Sequence, residues 1–369
     1  MRVWSNARRF AGRLLKPRMD LPLLLALLLV IAVGLLTLAS ASGGNERLVV
    51  SQSVRMGVGL VAMLILSRIP PGQLRLWTPW LFVASLLLLL LVPVLGTGRS
   101  ARSWLNLGIF YLQPGELLKL TLPMMVAWLL HRDLIPPGWR TLLLAGIVIA
   151  VPTGLIAVQP DLGTAMLVAA SGAFVVFLGG IGWWRIVAVL GTAAAAAPIG
   201  WQFLREYHRD RLRMFLNPEA DPLGAGWNII QSKIAVGSGG LFGKGWGQGS
   251  QSRLEFLPEH TTDFVFAVFA EEFGLFGVLL MLSLYLFIVG RCLWIAANAR
   301  DTWGRLLGGA LALTFLVYVV VNGGMISGLL PVIGVPMPLM SYGGTSAVTL
   351  LAGFGVLMSL HAHRKMMSS

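Results

Sequence analysis

Six uncharged apolar stretches recur along this chain, at 21–45, 76–98, 141–160, 162–184, 186–204 and 273–290. Each is close to the about 20 residues that an α-helix needs to cross the hydrocarbon of a bilayer. A seventh, 306–363, is too long for one crossing. It is broken at Asn322–Gly324 and at the proline-rich PVIGVPMPLMSYGG, so it reads as two spans joined by a loop. Two more candidates carry charge: 48–67 contains Arg55, and 113–130 contains Glu116 and Lys119. Six, two and two give the expected fold, an all-α integral membrane protein. It is a bundle of about ten transmembrane helices with one long periplasmic loop.

Composition agrees. The chain is 56% hydrophobic and only 12% charged over 369 residues, against about a quarter charged in ordinary soluble domains. A net charge of +13 therefore belongs in loops beside a membrane, where it meets membrane lipids, and no nucleic-acid partner is expected. The single cysteine, Cys292, excludes an internal disulfide and Cys-based zinc sites. The first span follows basic residues and ends at LASASGG, but it is longer than a signal-peptide core and many spans follow. A retained anchor is expected.

Orientation follows from the basic residues. With a cytoplasmic amino terminus, sixteen Lys and Arg fall on one side and only Arg47, Arg99 and Arg102 in the short loops of the other. Both termini are then cytoplasmic. The chain reads as one polytopic domain, 1–369, with a basic cytoplasmic segment at 1–20, a long periplasmic loop at 205–262 and a cytoplasmic tail at 361–369.

The unusual residues gather at the outer side. GTGRSARSWLNLG contributes Arg99, Arg102 and Trp104, and QPGELLKL places Glu116 and Lys119 on one helical face. VQPDLGT sets Asp161 between two spans, and the long loop ends at Asp263 before a span containing Glu271 and Glu272. A charge at bilayer depth costs at least about 2.5–3.5 kcal/mol, so these groups need partners or a wet cavity. Glu116 and Lys119 satisfy each other one turn apart, or serve chemistry. Glu271 and Glu272 call for a distant arginine. At 100° per residue Glu271 lies about 80° from Asp263, and Glu272 faces away, so only Glu271 would support an Asp263 site. Asp263 itself fits two roles, a helix N-cap or a half-desolvated general base.

The loop cations Arg205, Arg209, Arg211, Arg213, Lys233, Lys244 and Arg253 suit a solvated surface, acidic headgroups or a pyrophosphate. The glycines from Gly237 to Gly249 fail the Walker pattern, because Ser238 stands six before Lys244 and Gly245 follows it. A flexible or tightly turned loop is expected there. His361 and His363 sit beside Arg364 and Lys365 in a headgroup-facing tail, and no metal site is expected. A divalent cation such as magnesium bridging a pyrophosphate stays compatible with the sequence, which needs no other cofactor.

QPGELLKL, QPDLGT, LEFLPEHTTDFVFAVFAEEFG and PVIGVPMPLMSYGGTS, in this order, resemble the SEDS (shape, elongation, division and sporulation) family of bacterial cell-wall polymerases. The likeness covers essentially the whole chain, and spacing and the short tail favour the elongation member over the division member. It implies a peptidoglycan glycosyltransferase of the cytoplasmic (inner) membrane that polymerises lipid II at the outer leaflet. The family's essential aspartate corresponds to Asp263 and its paired helix-four residues to Glu116 and Lys119. Its GxRxW-like stretch corresponds to Arg102 and Trp104, and its QPD aspartate to Asp161. The implied partners are a class B penicillin-binding protein, which supplies the transpeptidase, and other membrane proteins of the elongation machinery.

Together these readings give a mechanism to test. Asp263 is expected as general base on the acceptor 4-hydroxyl, Lys119, Arg102 and Arg209 as cations around the diphosphate leaving group, and Trp104, Asp161, Lys233 and Lys244 as further substrate-binding residues. Lys119 would alternatively pair with Asp263, with Glu116 setting Lys119. One carboxylate without a covalent partner suggests inversion at the sugar carbon. Two rival functions share the topology, a lipid II flippase and a scaffold that recruits the penicillin-binding protein.

Overall fold

The computed structural model describes residues 19–97, 103–106, 108, 111–133, 135–159, 161–185, 187–188, 226–250, 259–363 and scattered positions between 191 and 213. Nine long helices run through the described residues. They are α1 (Leu21–Ala41), α2 (Glu46–Arg68), α3 (Pro71–Leu95), α4 (Pro114–Leu130), α5 (Trp139–Val158) and α6 (Leu162–Leu178), then α8 (Val265–Ala297), α9 (Thr302–Ile326) and α10 (Thr345–Ala362). A shorter helix, α7 (Trp227–Ser238), precedes α8. Between α3 and α4 a two-residue hairpin pairs β1 (Leu105–Asn106) with β2 (Tyr111–Leu112). The expected span at 186–204 lies mostly outside the described residues. Seven of the helices are long and apolar enough to cross a membrane; α4 and α6 have 17 residues each.

Helix α9 is the hub. Of its apolar window 61% is buried, against 17% for peripheral α5, and it packs on α4, α6, α8 and α10. Small residues permit this: Gly308 meets Ala296 of α8, and Gly309 meets Leu178 of α6. Side chains facing lipid instead, such as Trp80, Leu143 and Leu280, are widely exposed.

The end opposite Asp263 is fastened by ion pairs. Asp20 caps α1 through the Leu23 amide (3.0 Å) and takes a two-pronged contact from Arg291 of α8, at 3.0 and 2.7 Å. Burial alone would push the Asp20 carboxyl up, but the Arg291 guanidinium and the Leu23 amide hold it below its usual value. Arg75 meets Asp301 at 3.1 Å.

One break in the helical ladder organises the other end. Gly274 interrupts α8 at φ 63°, ψ −165°. In an unbroken helix the Leu275 and Phe276 amides would bond the carbonyls of Glu271 and Glu272. Here the Lys244 and Gly245 amides take those carbonyls (3.0 Å each), while Leu275 and Phe276 donate to Gly240 and Leu241 (2.9 and 3.1 Å). The glycine-rich segment is thus tightly turned and inserted, so all four groups are satisfied. Only glycine fits the crossing. A Cβ on Gly243 would lie 2.1 Å from the Glu272 carbonyl oxygen, and one on Gly274 would lie 2.3 Å from the Gly243 nitrogen.

This insertion also answers the two glutamates. Glu271 accepts from Lys244 Nζ at 2.7 Å and from the Ser250 amide and hydroxyl at 2.9 Å. Glu272 accepts from the Gly247 amide at 3.1 Å and from the Ser40 hydroxyl. Among the described residues these partners are a lysine, two hydroxyls and loop amides, which lie far enough away in sequence that spacing alone could not show them.

Candidate active site

Residues 259–264, EHTTDF, fold as a turn rather than as the first turn of α8. Glu259 adopts a left-handed φ of 55°. Its carbonyl accepts from the Thr262 and Phe264 amides (3.0 and 3.2 Å), and its carboxylate from the Thr262 hydroxyl (2.6 Å). Phe264, 1% exposed, drives the turn into the core. The N-cap of α8 is Phe264, with no side-chain cap bond. Asp263 therefore does not cap α8, and it lies before the helical register from which an angle to Glu271 would be counted.

Three neighbours hold this turn. The Tyr342 amide donates to the Thr261 carbonyl at 2.9 Å. The Asn322 side-chain amide donates to the Asp263 carbonyl at 2.7 Å. Gly334 lies beside the carboxylate, 3.6 Å separating its would-be Cβ from Oδ2. Tyr342 is steadied by the Arg55 guanidinium 4.5 Å above its ring, which gives the charge inside the second span its partner. Gln52 fixes the adjoining segment, donating to the Ser341 carbonyl at 3.0 Å and accepting from the Gly343 amide at 3.3 Å.

Lys119 and Glu116 form a buried ion pair at 2.7 Å, with 7% and 5% of each residue exposed. Glu116 accepts further from Thr349 at 3.4 Å, and Lys119 Nζ stands 5.0 Å from the Tyr318 ring centroid. Tyr318 and Asn322 lie four residues apart on α9, one turn of a single face. The Asp263 backbone and the Lys119–Glu116 pair thus lean on adjacent turns of the same helix. A cavity of about 440 Å³, counting its open mouth, begins at Glu116, Lys119 and Tyr318 and continues between α9 and α10 past Phe315 and Phe354 to Leu311 and Leu357. Seven residues of α9 separate Tyr318 from Leu311, about 10 Å along the axis. One end is charged, and beyond it the lining is apolar apart from Thr314.

The other sequence-expected residues are more dispersed. Asp161 caps α6 through the Thr164 amide at 3.0 Å, and its second oxygen accepts from Gln113 at 2.7 Å. It ties α4 to α6. Asp161→Ala should cost about 0.5–2 kcal/mol, the usual worth of such a cap, read as a lower thermal midpoint in detergent. If Asp161 acts only as a cap, the turnover of folded protein should hold. Trp104 is half-buried in a backbone bridge with Thr97. Lys233, exposed on α7, lies over Gly328 beyond the end of α9; the Gly328 φ of +71° and its missing Cβ make that room. Lys244 is held by Glu271, and Arg209 meets Glu206 at 2.8 Å. Arg102 lies outside the described residues. Among the described residues no three His, Cys, Asp or Glu side chains gather.

Sequence reasoning missed Asn322, Tyr318, Tyr342 and Gln52. The sequence signal for Asn322 is a lone amide near the end of an apolar span; the break expected at Asn322–Gly324 is absent, and α9 runs on to Ile326.

The helical bundle and this site define a multi-pass membrane protein of a known kind. The profile of the FtsW, RodA and SpoVE family, described as a cell cycle protein, matches residues 14–366, and the chain belongs to that family. It is 49% identical to the peptidoglycan glycosyltransferase MrdB of Escherichia coli K12 over 355 residues, 96% of each chain. A chain from a structure titled "Structural coordination of polymerization and crosslinking by a peptidoglycan synthase complex" superposes with a TM-score of 0.84 at 34% identity, covering 95% of this chain and all of that one. The rod shape-determining protein RodA of Thermus thermophilus gives 0.72 at 31% identity, covering 94% and 98%.

Proposed function

We infer that this chain is a peptidoglycan glycosyltransferase, which polymerises lipid II at the outer face of the cytoplasmic membrane during elongation and maintenance of rod shape. The observation that carries the mechanism is the shared face of α9. A carboxylate-bearing turn is fastened at Asn322, and one turn deeper Tyr318 borders a lysine at the head of an apolar cleft. A lipid-linked sugar diphosphate has the same order of parts: sugar, charged diphosphate, apolar tail. In this reading Asp263 accepts the proton of the acceptor 4-hydroxyl as its oxygen attacks the donor's anomeric carbon. The bond to the diphosphate breaks, and undecaprenyl diphosphate leaves with the electron pair. Lys119 would face the charge that builds on that leaving group. Trp104, Asp161, Lys233, Lys244, Arg102 and Arg209 are assigned to the rim and its support.

A class B penicillin-binding protein is the proposed partner for crosslinking the strands. Support comes from the synthase complex that coordinates polymerization and crosslinking, one chain of which this one matches. The test is a reconstitution of the purified chain, with and without such a partner, on labelled lipid II. Glycan ladders on a gel are the expected result. Transport of lipid II across vesicles without polymer would point to a flippase, and no activity except through the partner would point to a scaffold.

A further inference from the structure

We propose that Asn322 is the positioning residue of the Asp263 site, an assignment that rests on the reading of Asp263 as the base. Asn322 is fully buried in the last turns of α9. Its amide nitrogen donates to two backbone carbonyls, Asp263 at 2.7 Å and Val335 at 2.8 Å. Both partners can only accept, so the nitrogen must face them and a rotated amide would not serve.

These two carbonyls belong to segments far apart in the chain. One is the turn that carries the Asp263 carboxylate, the other the loop after α9 in which Gly334 borders Asp263 Oδ2. A single side chain thereby registers the carboxylate's backbone and the wall beside it to the same helix. That helix also carries Tyr318, one turn away beside Lys119. Asn322 sets the spacing between the two reacting poles without touching either.

Packing alone would not select this residue. Among the described residues the Asn322 Oδ1 atom is buried without a hydrogen-bond partner. An unpaired buried acceptor carries a desolvation cost that an apolar side chain of similar size would avoid. The amide is explained by what its nitrogen holds. Misplacing a reacting group by about 1 Å can lower turnover about 100-fold, so loosening this clamp should act on the chemical step.

The experiment compares Asn322→Ala, Asn322→Ser and Asp263→Asn in the purified full chain on labelled lipid II, with thermal midpoints recorded for each. Asn322→Ala should lower kcat by about 30- to 100-fold and leave KM within about threefold, because the substrate contacts stay in place. Asn322→Ser should fall in the same direction, since one short hydroxyl cannot reach both carbonyls. It decides the matter if the alanine variant does not fold. A folded Asn322 variant with kcat within threefold of the parent, alongside an inactive Asp263→Asn, overturns the assignment. So does a loss carried by KM. Strong polymerisation by Asp263→Asn is a separate outcome: it removes the base reading on which the assignment stands.

Discussion

Asp263→Asn should leave a folded, inserted protein that polymerises lipid II about 100- to 10,000-fold more slowly, the range a positioned base contributes. The geometry makes this a clean substitution. The structural bond from Asn322 reaches the Asp263 main-chain carbonyl and is untouched by a change of side chain. The turn is closed by Glu259, Thr262 and the buried Phe264 ring, and α8 takes its N-cap from Phe264. Asparagine has nearly the same shape as aspartate but accepts no proton. A thermal midpoint close to the parent's with glycan ladders gone is the expected pair of results. Ladders of near-normal intensity from the purified variant would take the base role away from Asp263, and a collapsed midpoint would make it structural.

The membrane fold was largely legible in the sequence, because bilayer thickness forces long apolar runs and these are local signals. Expected spans at 48–67 and 113–130 match α2 and α4, each carrying charge, within a few residues. What could not be read were partners fixed by tertiary structure. Glu271 and Lys244 are 27 residues apart and Glu272 and Ser40 are 232 apart, and no periodicity points across such gaps. The small, polar HTTD run suggests a helix start at Asp263. The left-handed Glu259 turn, which only the folded neighbours reveal, moves it off the helix. The Lys119–Glu116 pair was legible because three-residue spacing on a helix leaves little choice. The role of Asn322 was not, since its acceptors are backbone carbonyls with no sequence signature.

The buried pair supports the second large effect. Lys119→Ala would leave Glu116, 5% exposed, as an uncompensated charge inside the bundle. Breaking such a pair on one side costs about 3–5 kcal/mol. Thr349 at 3.4 Å is a weak substitute for an ammonium at 2.7 Å. Polymerisation should vanish as well, but this variant alone cannot separate a failed fold from failed chemistry. The double change Lys119→Met with Glu116→Leu can, because replacing both members of a buried pair with apolar groups is often neutral or stabilising. The cleft below is already lined by Leu120, Phe315 and Phe354, so it should accept the new side chains. We expect the double variant to regain a midpoint near the parent's and to stay inactive on lipid II. The lysine would then be required at the head of the cleft for the charge it presents there. Recovery of glycan ladders together with the midpoint would instead show the pair to be a structural fastener, and the cation facing the leaving group would have to be sought among the loop residues.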